Sequence, residues 1–267
     1  MDRKLALPLC LCLLLSSCAT VDHTPASTPP SAPASSEPSA PAVTPAPAPE
    51  WGEQVYMTAF TAEGREAPVF VPEYRLPLIK NADGLPAYEA VNAYYAAALD
   101  DLAISSADLA AWAMDDFAVT QATGDPFFDY VDTESYELTM STPTRVSVLR
   151  SHYSNSGGPY PTLYPLSDTF DLTTGARLEF AQLFSCPADE AKQRILECLL
   201  ALNAQGAFSD TVLDETLVKN AFQEENFYLT ESAFTVYFSS FDFPQAIGVP
   251  TFAIPYADLE DILLPWD

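Results

Sequence analysis

Asp168–Gly175 reads DTFDLTTG. Asp171 is short and polar, so its side chain can accept a bond from the backbone two residues on. Gly175 takes a left-handed conformation without steric cost. Together, Asp171, Thr173, Thr174 and Gly175 predict a tight turn. The residues before the turn then form one strand, and Arg177–Phe184 (RLEFAQLF) is expected to return as the next.

Upstream of the turn, GGPYPTLYPLSDTFDL is extended and punctuated by proline. SYELTMST and TRVSVLRSHYS alternate as strands and meet at Pro143, a residue suited to a turn or an edge. EQVYMTAF and APVFVPEYRLPLI are strands by the same signs. In GLPAYEAVNAYYAAALDDLAI the period changes. Leu85, Tyr88, Val91, Tyr95, Leu99 and Leu102 recur at three- and four-residue steps, the spacing of a helix with Pro86 in its first turn. A second helix, DLAAWAMDDFAV, is expected to begin at a cap from Ser106 or Asp108.

Downstream, PADEAKQRILECLLALNAQ and DETLVKNAF are helices, and NFYLT with AFTVYFSS forms a hairpin about Glu231 and Ser232. VPTFAIPY is a last strand and ADLEDILL a short closing helix. Strands come in antiparallel-looking pairs with helices inserted between groups. The expected class is α+β, with antiparallel sheets and two associated subdomains at 51–155 and 156–267.

The N-terminus carries an address. Arg3 and Lys4 precede the apolar run Leu5–Leu15, which is shorter than the ~20 residues of a spanning helix and fits a secretory signal. Leu15-Ser16-Ser17-Cys18 resembles the bacterial lipobox, which implies a signal at 1–17 and a lipid on Cys18. Residues 19–50 are mostly Pro, Ala, Ser and Thr, a composition that cannot form a core and favours an extended tether of roughly 100 Å. The chain is thus expected on the extracytoplasmic face of a bacterial cell membrane, held by its lipid.

Charge narrows the partners. Setting aside Arg3, Lys4, Asp2, Asp22, Glu37 and Glu50, residues 51–267 keep 9 of the 11 bases and 33 of the 37 acids, a formal charge of −24. Phosphate backbones need clustered cations, so nucleic acid is not an expected partner. A basic protein would be drawn in, and solubility alone is the simpler reading of the same charge. Cys186 and Cys198 are the cysteines of this region, and a disulfide between them is compatible with an oxidising compartment. A small buried residue is the simpler reading of Cys198.

The run from Asp168 through TFDLTTGARLEFAQLF, a helix, and ENFYLTESAFTVYFSSFDFPQAIGVPTFAIPYADLEDIL resembles the RsiV-like extracytoplasmic domain family, of the DUF4163/DUF3298 type. Tyr74 to about Tyr153 resembles the domain that usually precedes it. The resemblance implies a wall-side domain of the kind found in lysozyme-sensing anti-sigma factors, here as a lipoprotein. Where members carry a Gly-Gly-Ala-His-like stretch, this chain has Gly157-Gly158-Pro159-Tyr160, so the histidine's role does not transfer to Tyr160. Seventeen residues precede Cys18, and direct control of a sigma factor is not expected of this chain.

The residues offer little catalytic chemistry. Polysaccharide deacetylases use Thr-Phe-Asp-Asp-Gly and a later His-x-x-x-His; here Leu172 replaces the second Asp, and His152 is the one histidine after residue 50. A two-histidine metal site is therefore not expected, nor is any cofactor. His152 and Arg150 share a face of an alternating strand, which reads as structural. The pairs Asp100-Asp101, Asp115-Asp116 and Glu224-Glu225 are adjacent residues that do not face one another across a cleft, as glycosidase carboxylates must.

GDPFFDYVD interleaves Phe127, Phe128 and Tyr130 with Asp125, Asp129 and Asp132. Aromatic anchors ringed by carboxylates suit a basic partner, and pinning of the loop to the core is the simpler reading. Tyr160 and Tyr164 in GGPYPTLYP are further candidates. The expected function is a non-catalytic envelope binding domain, with lysozyme or another cationic wall-associated protein as the candidate partner. The alternatives are an enzyme or accessory module acting on peptidoglycan, and a passive spacer.

Overall fold

The computed structural model describes residues 47–208, 211–239, 241–243 and 248–265. Cys18 and most of the tether lie outside them. Two sheets and three α-helices make up this part, an α+β fold.

The first sheet has five strands in chain order: β1 (Trp51–Met57), β2 (Glu73–Ile79), β3 (Val131–Ser141), β4 (Arg145–Asn155) and β5 (Thr162–Asp171). It continues past residue 156, since β5 pairs with β4 along its whole length. The sheet is mixed. β2 and β3 run parallel, because a long helix, α1 (Pro86–Thr123), carries the chain from one end of the sheet to the other.

α1 spans 38 residues without a break, where two helices were expected. The expected start at Ser106 or Asp108 is absent, since both lie inside the continuous helix. Ser106 Oγ donates back to the Ala103 carbonyl at 2.7 Å, as Ser105 Oγ does to the Asp101 carbonyl at 3.0 Å, and Asp108 is an exposed residue of the same helix. Pro86 occupies the first turn, and Gly124, with φ 80°, closes the helix by donating to the Thr120 carbonyl at 2.8 Å.

On the helix side of the sheet, Tyr88, Val91 and Tyr95 bury against Leu76, Ile79, Val146, Val148, Phe170 and Leu172. Farther along α1, Ala110, Ala113 and Phe117 pack on Val69, Phe70 and Tyr130. The opposite face of the sheet meets a second, antiparallel sheet of β6 (Phe227–Leu229), β7 (Ala233–Tyr237) and β8 (Thr251–Pro255). Small hydroxyls sit at this junction: Ser147 Oγ accepts from Leu229 N at 2.9 Å, and Ser167 Oγ lies 3.1 Å from the Tyr237 hydroxyl. All five residues of β7 are buried. Its Phe234 and Val236 face a core that includes Ile195 and Leu199 of α2 (Ala188–Ala204) and Val218 of α3 (Glu215–Ala221).

Two local expectations change. Arg177–Phe184 is not a full return strand: after a single bridge from Arg177 to Phe170 the chain enters a 3-10 turn over Phe180–Leu183. Glu179 and Gln182 cap that turn reciprocally, which removes the backbone groups a ladder would need. The expected closing helix is a 3-10 turn at Tyr256–Asp258, followed by a bridge from Leu263 to Phe184. Among the described residues no helix is long and apolar enough to cross a membrane.

Candidate functional site

The Asp171 turn forms as its sequence implies. Asp171 Oδ1 accepts from Thr173 N at 2.7 Å, from Thr173 Oγ1 at 2.6 Å and from Thr174 N at 3.3 Å. Gly175 adopts φ 78° and donates to the Asp171 carbonyl at 2.7 Å. These bonds complete a corner of the sheet, where they hold backbone rather than a reacting group.

The strands beside the corner place ionisable side chains where the sequence alone gave little warning. Strand alternation puts Asp168 of β5 and Arg150 and His152 of β4 on the helix-facing side, together with Asp132 and Glu134 of β3. Glu134 and Asp168 are each 1 % exposed at their side chains. Arg150 lies between them, with Nη1 donating to Glu134 Oε1 at 2.8 Å and Nε 3.1 Å from Asp168 Oδ2. The second contact is an ion pair at an angle unsuited to a hydrogen bond. Asp168 Oδ1 also accepts from Tyr94 of α1 at 2.6 Å and from Arg177 Nε at 2.9 Å. Asp132 Oδ2 accepts from the Tyr74 hydroxyl at 2.5 Å.

His152 bridges two carboxylates, with Nε2 3.2 Å from Asp132 Oδ1 and Nδ1 3.1 Å from Glu134 Oε2. Those two carboxylates, Asp132 first, raise its pKa from 6.5 to about 9 against the opposing effect of burial. His152 is therefore an imidazolium near neutrality, hydrogen-bonded through Nδ1 to Glu134 and held by Asp132 at Nε2 as an ion pair. Burial pushes the Asp132 carboxyl up, but bonds from His152, Tyr74 and Ser154 outweigh it and hold it below its ordinary value. Burial together with Asp168 pushes the Tyr94 hydroxyl up to about 12. Three carboxylates thus meet two guanidiniums and an imidazolium, and the cluster is close to neutral.

The raised value fixes a pH dependence. His152 is protonated more readily in the folded chain, so its contribution to stability is complete below pH 6.5 and is lost as pH rises through about 9. Melting temperature measured from pH 6 to 10 should fall on the alkaline side, and His152→Gln should flatten that limb. An unchanged alkaline slope in the variant would rule out the bridging role.

The aromatic loop divides. Phe128 is 62 % exposed, whereas Tyr130 is buried and donates to Asp116 Oδ2 at 2.5 Å. Phe127 is half-buried, edge-on to Phe117 with centroids 5.4 Å apart. Asp125 and Asp129 are exposed, and Asp129 pairs with Arg65 at 2.6 Å. The Arg65 guanidinium in turn lies 5.0 Å from the Phe127 ring centroid. Tyr160 is 89 % exposed; Tyr164 is exposed with its ring 6.4 Å from that of Phe241. The aromatic loop and the GGPYP segment come together at Gly157. Gly157 sits against Phe128, and both border a cavity of about 160 Å³ that also takes in Val119 and Asp116 of α1.

Cys186 and Cys198 carry free thiols, both half-buried, and burial pushes the Cys198 thiol up. Among the described residues no group of three His, Cys, Asp or Glu side chains could hold a metal ion.

No family model matches the chain, and no curated protein matches it either. Its fold is shared with solved structures. A member of the DUF3298 family from Bacteroides fragilis superposes with a TM-score of 0.62 at 16 % identity, over 81 % of this chain and 94 % of that one. A DUF3298 family protein from Pseudomonas aeruginosa does so with 0.58 at 14 % identity, over 83 % of this chain and 96 % of that one.

Proposed function

We propose, for a chain with the fold of DUF3298 family proteins, that it is an envelope lipoprotein displaying a non-catalytic binding domain for a cationic wall-associated protein. Lysozyme is the model partner. Cys18 carries the lipid, and residues 19–50 hold the domain off the membrane. One observation carries the reading. The buried ionisable groups, Asp132, Glu134, Arg150, His152 and Asp168, are committed to one another, while the exposed surface combines a large negative charge with outward aromatic side chains at Phe128, Tyr160 and Tyr164. Buried charges that pair with one another are satisfied within the fold; unbalanced acids beside exposed rings suit association with a basic protein.

The full-length protein in detergent, immobilised, should retain lysozyme at physiological ionic strength, and an unrelated domain of equal negative charge should not. Equal retention by both would reduce the interaction to charge alone. Phe128→Ala should weaken retention several-fold with the melting temperature unchanged. Phe127→Ala should instead lower stability by about 2 kcal/mol through lost packing.

A further inference from the structure

From Asn81 to Thr144 the sequence contains no Lys, Arg or His. All of α1 lies in this stretch, with Glu89, Asp100, Asp101, Asp108, Asp115 and Asp116 as its charged residues. Its second half also exposes large apolar side chains: Ile104 at 69 %, Trp112 at 61 % and Val119 at 60 %. Ile104, Asp108, Trp112, Asp115 and Val119 follow one another at steps of four, four, three and four residues. That spacing places them on one stripe of the helix, with apolar and acidic residues alternating along about 22 Å.

The fold does not call for these residues there. The opposite side of the same helix, through Ala110, Ala113 and Phe117, meets the core. At exposed helix positions Ala, Glu or Lys would favour the helix more than Ile, Trp, Val or Asp. The stripe ends beside the cavity where Val119 and Phe128 are neighbours, so Phe128 extends it onto the following loop.

We propose that this stripe, Ile104–Trp112–Val119 with Phe128, is the docking face for the basic protein partner. The inference rests on the function proposed above and assigns it a place. Trp112 is the central anchor, the kind of side chain that dominates interface energies. Asp108 and Asp115 flank it and meet Lys or Arg on the partner. The charge pattern disfavours a second copy of this chain, because two such stripes would bring like charges together.

The test measures lysozyme binding to the full-length protein in detergent across a salt series, with sedimentation to follow self-association. Wild type should bind. Trp112→Ala with Val119→Ala should weaken binding by at least about tenfold and leave the melting temperature in place. Asp108→Asn with Asp115→Asn should slow association and flatten the salt dependence, while Glu231→Gln with Glu260→Gln, an equal loss of charge elsewhere, should do neither. Wild-type affinity in the Trp112/Val119 variant would overturn the docking face and leave the proposed function standing. Absence of wild-type binding would overturn both. A wild-type dimer that this variant converts to monomer would assign the stripe to a second copy and overturn the inference, as would a large drop in its melting temperature.

Discussion

Arg150→Met should lower the unfolding free energy by about 3–5 kcal/mol, the cost of leaving buried carboxylates without their cation. Glu134 and Asp168 are both enclosed, and Arg150 is the group that touches each of them. Removing it leaves three acids against Arg177 and His152. The flexible thioether fills space but donates nothing to either oxygen. Arg150→Lys keeps the charge yet presents a single point rather than a planar fork, so it cannot face both carboxylates in the same way and should fall between the two. Adding Glu134→Gln to Arg150→Met should recover part of the loss, since one stranded charge disappears. Urea unfolding of the four proteins measures this directly. An Arg150→Met variant within about 1 kcal/mol of wild type would mean that water reaches the cluster and screens it.

Gly175→Ala should cost on the order of 2–5 kcal/mol, from two sources at once. A left-handed backbone costs an L-residue roughly 1–2 kcal/mol, and overpacking typically adds about 1–3. At φ 78°, a Cβ on residue 175 would stand 2.6 Å from the Ala87 carbonyl oxygen, 2.8 Å from Ala90 Cβ and 2.9 Å from Ala87 Cα. None of these atoms is the end of a flexible side chain; all belong to the first turns of α1. Gly124→Ala separates the two sources, since its φ is 80° but nothing lies within 4 Å of the added carbon. That variant should lose about 1–2 kcal/mol. Equal losses at the two glycines would remove the close approach as a cause.

The same corner illustrates what the chain made readable. Asp171, the two threonines and Gly175 form a local motif whose bonds span three or four residues, so residue chemistry alone defines it. The hairpin at Glu231 and the periodicity of α2 are local in the same way. The cluster around Arg150 is not. Its pair with Glu134 bridges 16 residues, Tyr94 reaches Asp168 across 74, and Tyr74 reaches Asp132 across 58. Each strand shows only one or two charges on a face, and the balance emerges when three strands lie side by side. The signal in the sequence was the shared face of Arg150 and His152, with Asp132, Glu134 and Asp168 at matching parity in their own strands.

Ser106 misled for a different reason. A serine hydroxyl can cap a helix or bond back into one, and burial of Ser106 against the sheet decides for the second. The stripe at Trp112 escaped because the expected break separated Ile104 from Val119. On an unbroken helix they share a face.

The parallel join of β2 to β3 bears on how the chain reaches this state. β3, β4 and β5 can assemble from hairpins, and so can β1 with β2. Joining the two groups requires closing the long segment that contains α1. For a loop of that length, against a ten-residue one, closure costs about 1.5 kcal/mol more. The backbone return is small, because the register holds only Glu73 with Thr133 and Tyr74 with Glu134, supplemented by a bridge from Phe70 to Tyr130. The seam therefore gains its strength from the helix that lies over it and from the Tyr74–Asp132 bond. Folding of this domain should be late at that seam: two locally formed pieces wait for a single rod to seat, and the rate is set by topology rather than by the strength of either piece.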